Sequence, residues 1–230
     1  KKIMMKNKYL PIICLFFLFA SCSGMNDIIQ DYLDRGEINY IGRPDSLLTT
    51  GGNGRMQLRW LAGKDPRVEG YIIYWNNRTD SVVGEIDRNN LLKDRYNFCI
   101  FNVKESSYEF ELVQTGSKGV NSIASTVTGN VYGDSYISQL KIRELINVAE
   151  DVDGVKLTWG ISNSSKYVDF TYEKADGTEA ICRISSQVND IILPNPKSRG
   201  AYSYSTYYVP GKDSLDVFKA PEVVDGNFPF

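Results

Sequence analysis

The chain has 230 residues, with 26 Lys and Arg against 28 Asp and Glu and no histidine, so its formal net charge is −2. The lack of histidine excludes a His-based catalytic triad, a His-ligated metal site and a histidine general base. Residues 1–21 hold four lysines and no acidic residue, so the rest of the chain has 22 basic against 28 acidic residues and a net charge of −6. This acidic excess argues against nucleic acid and anionic membrane surfaces as partners.

Residues 1–21 have the features of a lipoprotein signal peptide. Four lysines precede a short apolar run from Pro11 to Ala20, which is too short to span a bilayer. "FASC" then ends at Cys22 and resembles a bacterial lipobox, in which the cysteine is lipidated and becomes the new N-terminus. An ordinary signal peptide followed by an unrelated cysteine is the alternative. The first reading predicts an outer-membrane lipoprotein at the cell surface, with a periplasm-facing orientation as the alternative.

Residues 22–36 are predicted to be a lipidated tether that contains a short helix. Asp27 can cap the helix, an apolar side follows in "IIQDYL", and Gly36 can end it.

Two similar patterns then predict tandem immunoglobulin-like β-sandwiches, and an all-β fold. "MQLRW" and "VKLTW" both alternate apolar and polar residues, and they end at Trp60 and Trp159, which lie 99 positions apart. Each is followed by further alternating segments, "GYIIYW" and "SYEFELV" in the first half and "KYVDFTYE" and "AYSYSTYY" in the second. The predicted domains are residues 37–133 and 134–230. The segment "YISQLKIRELINVAED" has helix-like spacing, but the repeat requires a first strand there, so we predict a strand.

Face assignments on the predicted strands identify the candidate site residues. In "YIIYW", Tyr71, Ile73 and Trp75 point one way and are assigned to the core. Trp75 lies at a strand end, where a tryptophan is often partly exposed, so it is also a candidate ligand or interface residue. Ile72 and Tyr74 point outward, either into a domain interface, which we favour, or into a ligand patch.

In "AYSYSTYY", Tyr207 lies on the face opposite the other tyrosines, beside small serines. It is a candidate platform on which a sugar ring stacks.

Other constellations are interpreted as structural. Glu109 and Glu111 share a strand face at a spacing that suits a glycosidase, but alternating Glu is typical of a solvated face. "DVDG" at 151–154 favours a turn over a Ca²⁺ loop. Cys99 and Cys182 are predicted to be free thiols. No phosphate-cradling or nucleophile motif occurs, so we expect no metal, no cofactor and no enzymatic activity.

Several segments together resemble an uncharacterised family of Bacteroidetes surface lipoproteins with tandem fibronectin type III-like modules. They are the lipobox-like end at Cys22 and the segments "DYLDRGEINYIGRPDS", "GNGRMQLRWLAGKDPRVEGYIIYW" and "GSKGVNSIASTVTGNVYGDSYIS". The resemblance covers most of residues 27–140. It implies a fibronectin type III-like fold, an association with glycan-uptake systems and no catalytic residues to transfer.

Three tripeptides, "DSL", "DSV" and "DSL", also resemble the Asp-Ser-aliphatic O-glycosylation signal of exported Bacteroidetes proteins. They predict modification at Ser46, Ser81 and Ser214, while turns that begin with Asp-Ser are the alternative.

The expected function is therefore that of a non-catalytic, lipid-anchored surface protein. Its expected partners are the membrane, through the lipid, and a polysaccharide or a protein of an outer-membrane uptake complex. A structural spacer or adhesin-type subunit without a small ligand is the alternative.

Overall fold

The computed structural model describes residues 40–230, so the predicted signal peptide, the lipidation site at Cys22 and the helix expected within 22–36 lie outside the described residues. Ile41–Phe230 forms one compact unit. Within it, two β-sandwiches follow one another along the chain, and their strands form separate sheets.

The first module consists of seven antiparallel strands. They are β1 (Asp45–Gly51), β2 (Arg55–Leu61), β3 (Val68–Trp75), β4 (Asp80–Glu85), β5 (Tyr96–Asn102), β6 (Ser106–Gly116) and β7 (Ser125–Val131). One sheet has the order β1–β2–β5 and the other the order β4–β3–β6–β7. Short 3₁₀ turns lie at Lys93–Arg95 and Ser117–Gly119.

The second module begins after the short helix α1 (Asp134–Gln139). Its strands are β8 (Leu145–Asp151), β9 (Gly154–Trp159), β10 (Ser165–Glu173), β11 (Glu179–Ser185), β12 (Asp190–Leu193), β13 (Ala201–Tyr208), β14 (Phe218–Lys219) and β15 (Val224–Asn227). One sheet has the order β12–β9–β8, and in the other β11–β10–β13 is extended by β14 and β15, which both pair with β13.

Both modules therefore distribute their strands in the same way. The first, second and fifth strands form one sheet, and the third, fourth, sixth and all later strands form the other. This is the two-layer arrangement of a fibronectin type III-like sandwich. The predicted all-β fold with tandem sandwiches is confirmed.

The two tryptophans that mark the repeat are the centres of the two cores. Trp60 is fully buried and packs edge-on against Tyr71 with ring centroids 4.9 Å apart. Trp159 is 2% exposed and makes the same kind of contact with Tyr204, also at 4.9 Å. Edge-to-face geometry places the positive ring edge against the negative ring face, so each pair stabilises its core beyond the buried area alone.

The strand predicted over "YISQLKIRELINVAED" is correct only for its second half. Residues 134–139 are helical because the carboxylate of Glu105, in the first module, accepts the backbone N–H of Ser135 at 2.8 Å and of Tyr136 at 2.7 Å. These bonds satisfy N–H groups that the first turn of a helix leaves unpaired. The helix ends at Leu140, which is extended, and β8 follows.

The two modules are joined by a set of contacts that we call the junction clamp: Gly51, Asn53 and Arg55 of the β1–β2 turn with Ser214, Leu215 and Asp216 of the β13–β14 loop. The backbone N–H of Leu215 donates to Gly51 O at 3.0 Å, and that of Asn53 donates to Asp216 Oδ2 at 2.8 Å. Between them lies Gly52, where a Cβ atom would overlap the Asp216 carboxylate. Only glycine permits so close an approach.

Both cysteines of the described chain are free thiols. Cys99 is buried in the first core and Cys182 is half-buried on β11. Burial raises the pKa of both thiols, which disfavours the reactive thiolate. Among residues 40–230, no helix has the length and apolar character that a membrane crossing requires.

Candidate functional site

The side chains of β3 form a core-facing set and a solvent-facing set, as the alternation of the sequence predicts. Tyr71 and Ile73 are buried. Trp75 is half-buried, and its ring stacks on Phe101 with centroids 5.1 Å apart. The Trp75 ring is therefore largely occupied with closing the edge of the first core.

Ile72 and Tyr74 lie half-buried on the opposite face of β3. The guanidinium of Arg78 lies 5.1 Å from the centre of the Tyr74 ring and is held by the Glu111 carboxylate, with Nε–Oε2 and Nη2–Oε2 distances of 2.9 and 2.5 Å. This carboxylate raises the pKa of Arg78. The hydrogen bonds of the junction clamp involve other residues, and both the domain interface and the ligand patch stay predictions for Ile72 and Tyr74.

Tyr207 stands in a row of side chains that crosses three strands of the second module. It is the register partner of Tyr167 on β10, and the two rings stack with centroids 4.8 Å apart and an interplanar angle of 25°. The guanidinium of Arg183, on β11, lies 4.0 Å from the centre of the Tyr167 ring. We call Arg183, Tyr167 and Tyr207 the aromatic ladder.

The aromatic ladder limits which ring faces of Tyr207 a ligand can contact. Because β11 and β13 flank β10 on opposite sides, Arg183 and Tyr207 cover opposite faces of the Tyr167 ring. One face of Tyr207 is occupied by Tyr167, and its other neighbour across the sheet is Lys219 on β14. The two rings therefore stand side by side across the sheet, and both are half-buried.

Asp169 fixes the charged end of the ladder. Its carboxylate accepts both Nε and Nη2 of Arg183, at 2.7 and 2.8 Å, and these bonds raise the pKa of the guanidinium. Such a fork-like pair restricts the arginine to one geometry. Burial, and next the Asp169 charge, raise the pKa of the Tyr207 phenol, which stays a neutral donor and acceptor at physiological pH.

Sequence reasoning identified Tyr207 and missed Tyr167, Asp169 and Arg183. The signal for the first two is present in "KYVDFTYE", where Tyr167 and Asp169 are two positions apart and so share a face. Their meeting with Tyr207 depends on the register of β10 against β13, which alternation alone does not specify.

The three serines proposed for modification lie in different surroundings. Ser46, at the start of β1, and Ser81, on the edge strand β4, are exposed. Ser214 is half-buried, and its hydroxyl donates to Gly51 O at 3.1 Å within the junction clamp. In the part of the chain that the structure describes, no three Cys, Asp or Glu side chains group in a way that could hold a metal ion.

Comparison with known proteins gives a family and no activity. At 14% identity and a TM-score of 0.46, the chain is similar to the FN1–FN3 domains of chicken CNTN1, over 82% of this chain and 67% of that one. It is similar to a segment of two fibronectin type III domains from chicken tenascin at 13% identity and a TM-score of 0.31, over 80% of this chain and 97% of that one.

No curated protein matches the chain. The model of one family, described as a domain of unknown function, matches residues 22–218. With most of its length matched, the chain belongs to the DUF4998 family.

Proposed function

We propose that this protein is a non-catalytic, lipid-anchored surface protein that docks a partner protein on the outward face of the β11–β10–β13 sheet. The observation that carries the proposal is the aromatic ladder, in which two tyrosines and an arginine stand in fixed positions on a solvent-facing sheet. Tyr and Arg are the residue types over-represented in the energetic centres of protein interfaces. The fork from Asp169 holds Arg183 in place before binding, which lowers the entropy that binding costs.

The shape of this face favours a protein over a stacked sugar ring. Sites for small molecules are concave, whereas the ladder stands on an open sheet. The Tyr167 ring is covered on both sides, so no sugar can lie flat upon it. Ring edges, hydroxyls and one guanidinium edge suit the polar and aromatic groups of another protein surface.

The location and the kind of partner rest on the N-terminal sequence. "FASC" at residues 19–22 supports lipid attachment at Cys22 and hence the outer membrane. The resemblance to surface lipoproteins associated with glycan uptake supports a component of such a complex as the partner.

Photo-crosslinking in the native host tests the proposal. A photoreactive residue at Lys219, the exposed register partner of Tyr207 on β14, is expected to capture one defined partner, whereas the same residue at the exposed position Glu150 of the opposite sheet is not. The affinity of the purified partner is then measured for the full chain and its variants. Tyr207→Ala and Arg183→Ala are each expected to weaken binding by about tenfold or more.

Tyr74→Ala is the matched control, because Tyr74 is also an outward tyrosine with an arginine over its ring. Its affinity is expected to equal that of the unmodified protein. Equal affinity for all four proteins, or crosslinking that is identical at both positions, contradicts the proposal.

A structural spacer is the second candidate, and the junction clamp favours it. A part whose task is to hold two attachment points apart needs modules in a fixed arrangement, which the backbone and ion-pair contacts of the clamp support. Loss of cellular function on breaking the clamp, together with full function of Tyr207→Ala, would select this candidate.

A further inference from the structure

A groove of about 690 Å³ lies where the two modules meet. Tyr132 and Tyr136 line it from the connection between the modules, and Tyr208 lines it from the end of β13. The β9–β10 loop contributes Asn163 and Ser164. The groove is distinct from the aromatic ladder and shares no residue with it.

The three tyrosines bring both aromatic rings and phenol hydroxyl groups to the wall of the groove. The Tyr208 hydroxyl donates to Lys141 O at 2.5 Å. The hydroxyls of Tyr132 and Tyr136 have no hydrogen-bond partner among residues 40–230. Burial, and next the neighbouring phenols of Tyr132 and Tyr208, raise the pKa of Tyr136, so it remains a neutral hydroxyl at physiological pH.

The walls of the groove are held in place from both modules. The rings of Tyr132 and Tyr136 contact each other at 4.9 Å, and the buried ring of Phe218 contacts them at 5.8 and 5.1 Å. Glu105 of the first module binds the start of α1, which carries Tyr136. A preformed cavity of this size is typical of ligand sites.

The lining selects a ligand without charge. Lys141 is its only charged residue, and the others that are polar are hydroxyls and the amides of Gln139 and Asn163. A cation would meet no carboxylate here, and a polyanion would meet a single cation. A wholly apolar ligand would bury amides and phenols without partners, which is costly. A molecule with many neutral hydroxyls and apolar C–H faces satisfies both kinds of surface.

We propose that this groove binds a neutral oligosaccharide. The phenol rings contact its C–H faces, and the free hydroxyls of Tyr132 and Tyr136 and the amide of Asn163 bind its hydroxyl groups. The site does not depend on the partner-docking function of the ladder.

Affinity electrophoresis of the full chain tests the proposal. The gels contain soluble neutral polysaccharides (β-glucan, xylan, mannan), and a parallel gel contains polygalacturonate. At least one neutral polysaccharide is expected to retard the protein, and polygalacturonate is not. Isothermal titration with an oligosaccharide of the retarding polymer then gives the affinity of each variant.

Two independent variants separate binding from folding. Tyr136→Ala removes a ring and is expected to weaken binding by about tenfold. It also removes the ring contact with Phe218 where the two modules meet. The double change Asn163→Ala with Ser164→Ala alters two exposed side chains and is expected to weaken binding by about fivefold or more without loss of thermal stability. Tyr207→Ala, on the ladder, is expected to bind the oligosaccharide as the unmodified protein does.

Three results would overturn the proposal. They are retardation by none of the neutral polymers, unchanged affinity in the Asn163 and Ser164 double variant, and stronger binding of an uncharged, extended peptide than of any oligosaccharide. If Tyr207→Ala no longer docks the partner but still binds the oligosaccharide, the groove proposal is unaffected. If the protein docks the partner but binds no oligosaccharide, the groove proposal fails and the ladder proposal is unaffected.

Discussion

The carboxylate of Asp216 in the second module binds the guanidinium of Arg55 in the first, with Oδ2–Nε and Oδ1–Nη2 distances of 3.0 and 2.5 Å. The same carboxylate accepts the backbone N–H of Asn53. The bonds from Arg55 lower the pKa of Asp216, and desolvation opposes them. One side chain thus ties a strand start and a turn of the first sandwich to a loop of the second.

Replacing Asp216 by Asn is expected to loosen the pairing of the modules while both cores stay folded. The amide has no charge and one acceptor oxygen, so it cannot bind Arg55 and the Asn53 N–H as the carboxylate does. Small-angle scattering is expected to show a larger radius of gyration, with nearly unchanged melting of the cores. Asp213→Asn, an exposed change in the same loop, is the control and should leave the scattering curve unaltered.

The same pair gives the expected pH dependence of the clamp. Because folding lowers the pKa of Asp216, its stabilising effect is full above the ordinary Asp value of about 4 and is lost as the pH falls through the lowered, folded-state value. Scattering of the unmodified protein should therefore be constant from neutral pH to about 4. Expansion that begins near pH 6 would contradict this assignment.

Replacing either core tryptophan by Phe is expected to be unusually mild. The indole N–H groups of Trp60 and Trp159 are buried without a hydrogen-bond partner, so the change removes an unsatisfied donor together with some volume. We expect the free energy of unfolding to fall by about 1–2 kcal/mol, against about 3–5 kcal/mol for Ala. Urea unfolding measures both, and a Phe variant as unstable as the Ala variant would show that the N–H is satisfied in solution.

The position of the tryptophans and the identity of the fold could be predicted because alternation along one strand carries that information. Met56, Leu58 and Trp60 follow one another at every second position, and all are fully buried. The helical start of α1 could not be predicted in this way. Its first N–H groups are satisfied by Glu105, which is some 30 positions earlier in the chain, so no local pattern records it.

The candidate site could likewise be predicted from the sequence only in part. Tyr207 could be singled out from its own strand, but whether its ring lies flat depends on Tyr167 and Arg183, which are supplied by two other strands. Neither the clamp nor the groove had a signal in the sequence. Gly51 and Leu215 come together only after both modules have folded.

Arg143 is expected to be essential to the stability of the second module. It is 3% exposed, and its guanidinium donates to the carbonyls of Gly160, Ser185 and Val188 and to Asn189 Oδ1, at 2.9 to 3.3 Å. Burial lowers its pKa, but an arginine remains charged at any pH at which the protein is studied.

Arg143→Met removes these four charge-assisted hydrogen bonds of a buried guanidinium, and we expect it to cost about 3 kcal/mol or more. Arg143→Lys keeps the charge with fewer donors and should lie between Met and the native residue. Arg199→Met, on an exposed loop, is the control. Chemical unfolding that is the same for Arg143→Met and for this control would contradict the structural role.

Glycosylation, if it follows the three Asp-Ser tripeptides, is expected to differ among them. Ser46 and Ser81 are exposed and open to an enzyme, whereas a sugar on Ser214 must replace the hydrogen bond to Gly51 O. Peptide mapping of protein from the native host should find added hexose mass on the first two serines ahead of Ser214. An intact mass equal to that of the polypeptide and its lipid would contradict the predicted modification of all three serines.

The fit of Gly52 beneath the Asp216 carboxylate also bears on how this protein can change over evolutionary time. Each sandwich carries one half of a matched contact: a glycine turn in the first, and a loop ending in Asp216 in the second. A recombination that exchanged either sandwich for an unrelated one would keep a folded domain. That domain would lose the residues of the other sandwich that its half of the contact binds. The pair is therefore the unit that can be duplicated, fused or transplanted intact, and a design that borrows it should cut outside residues 41–230.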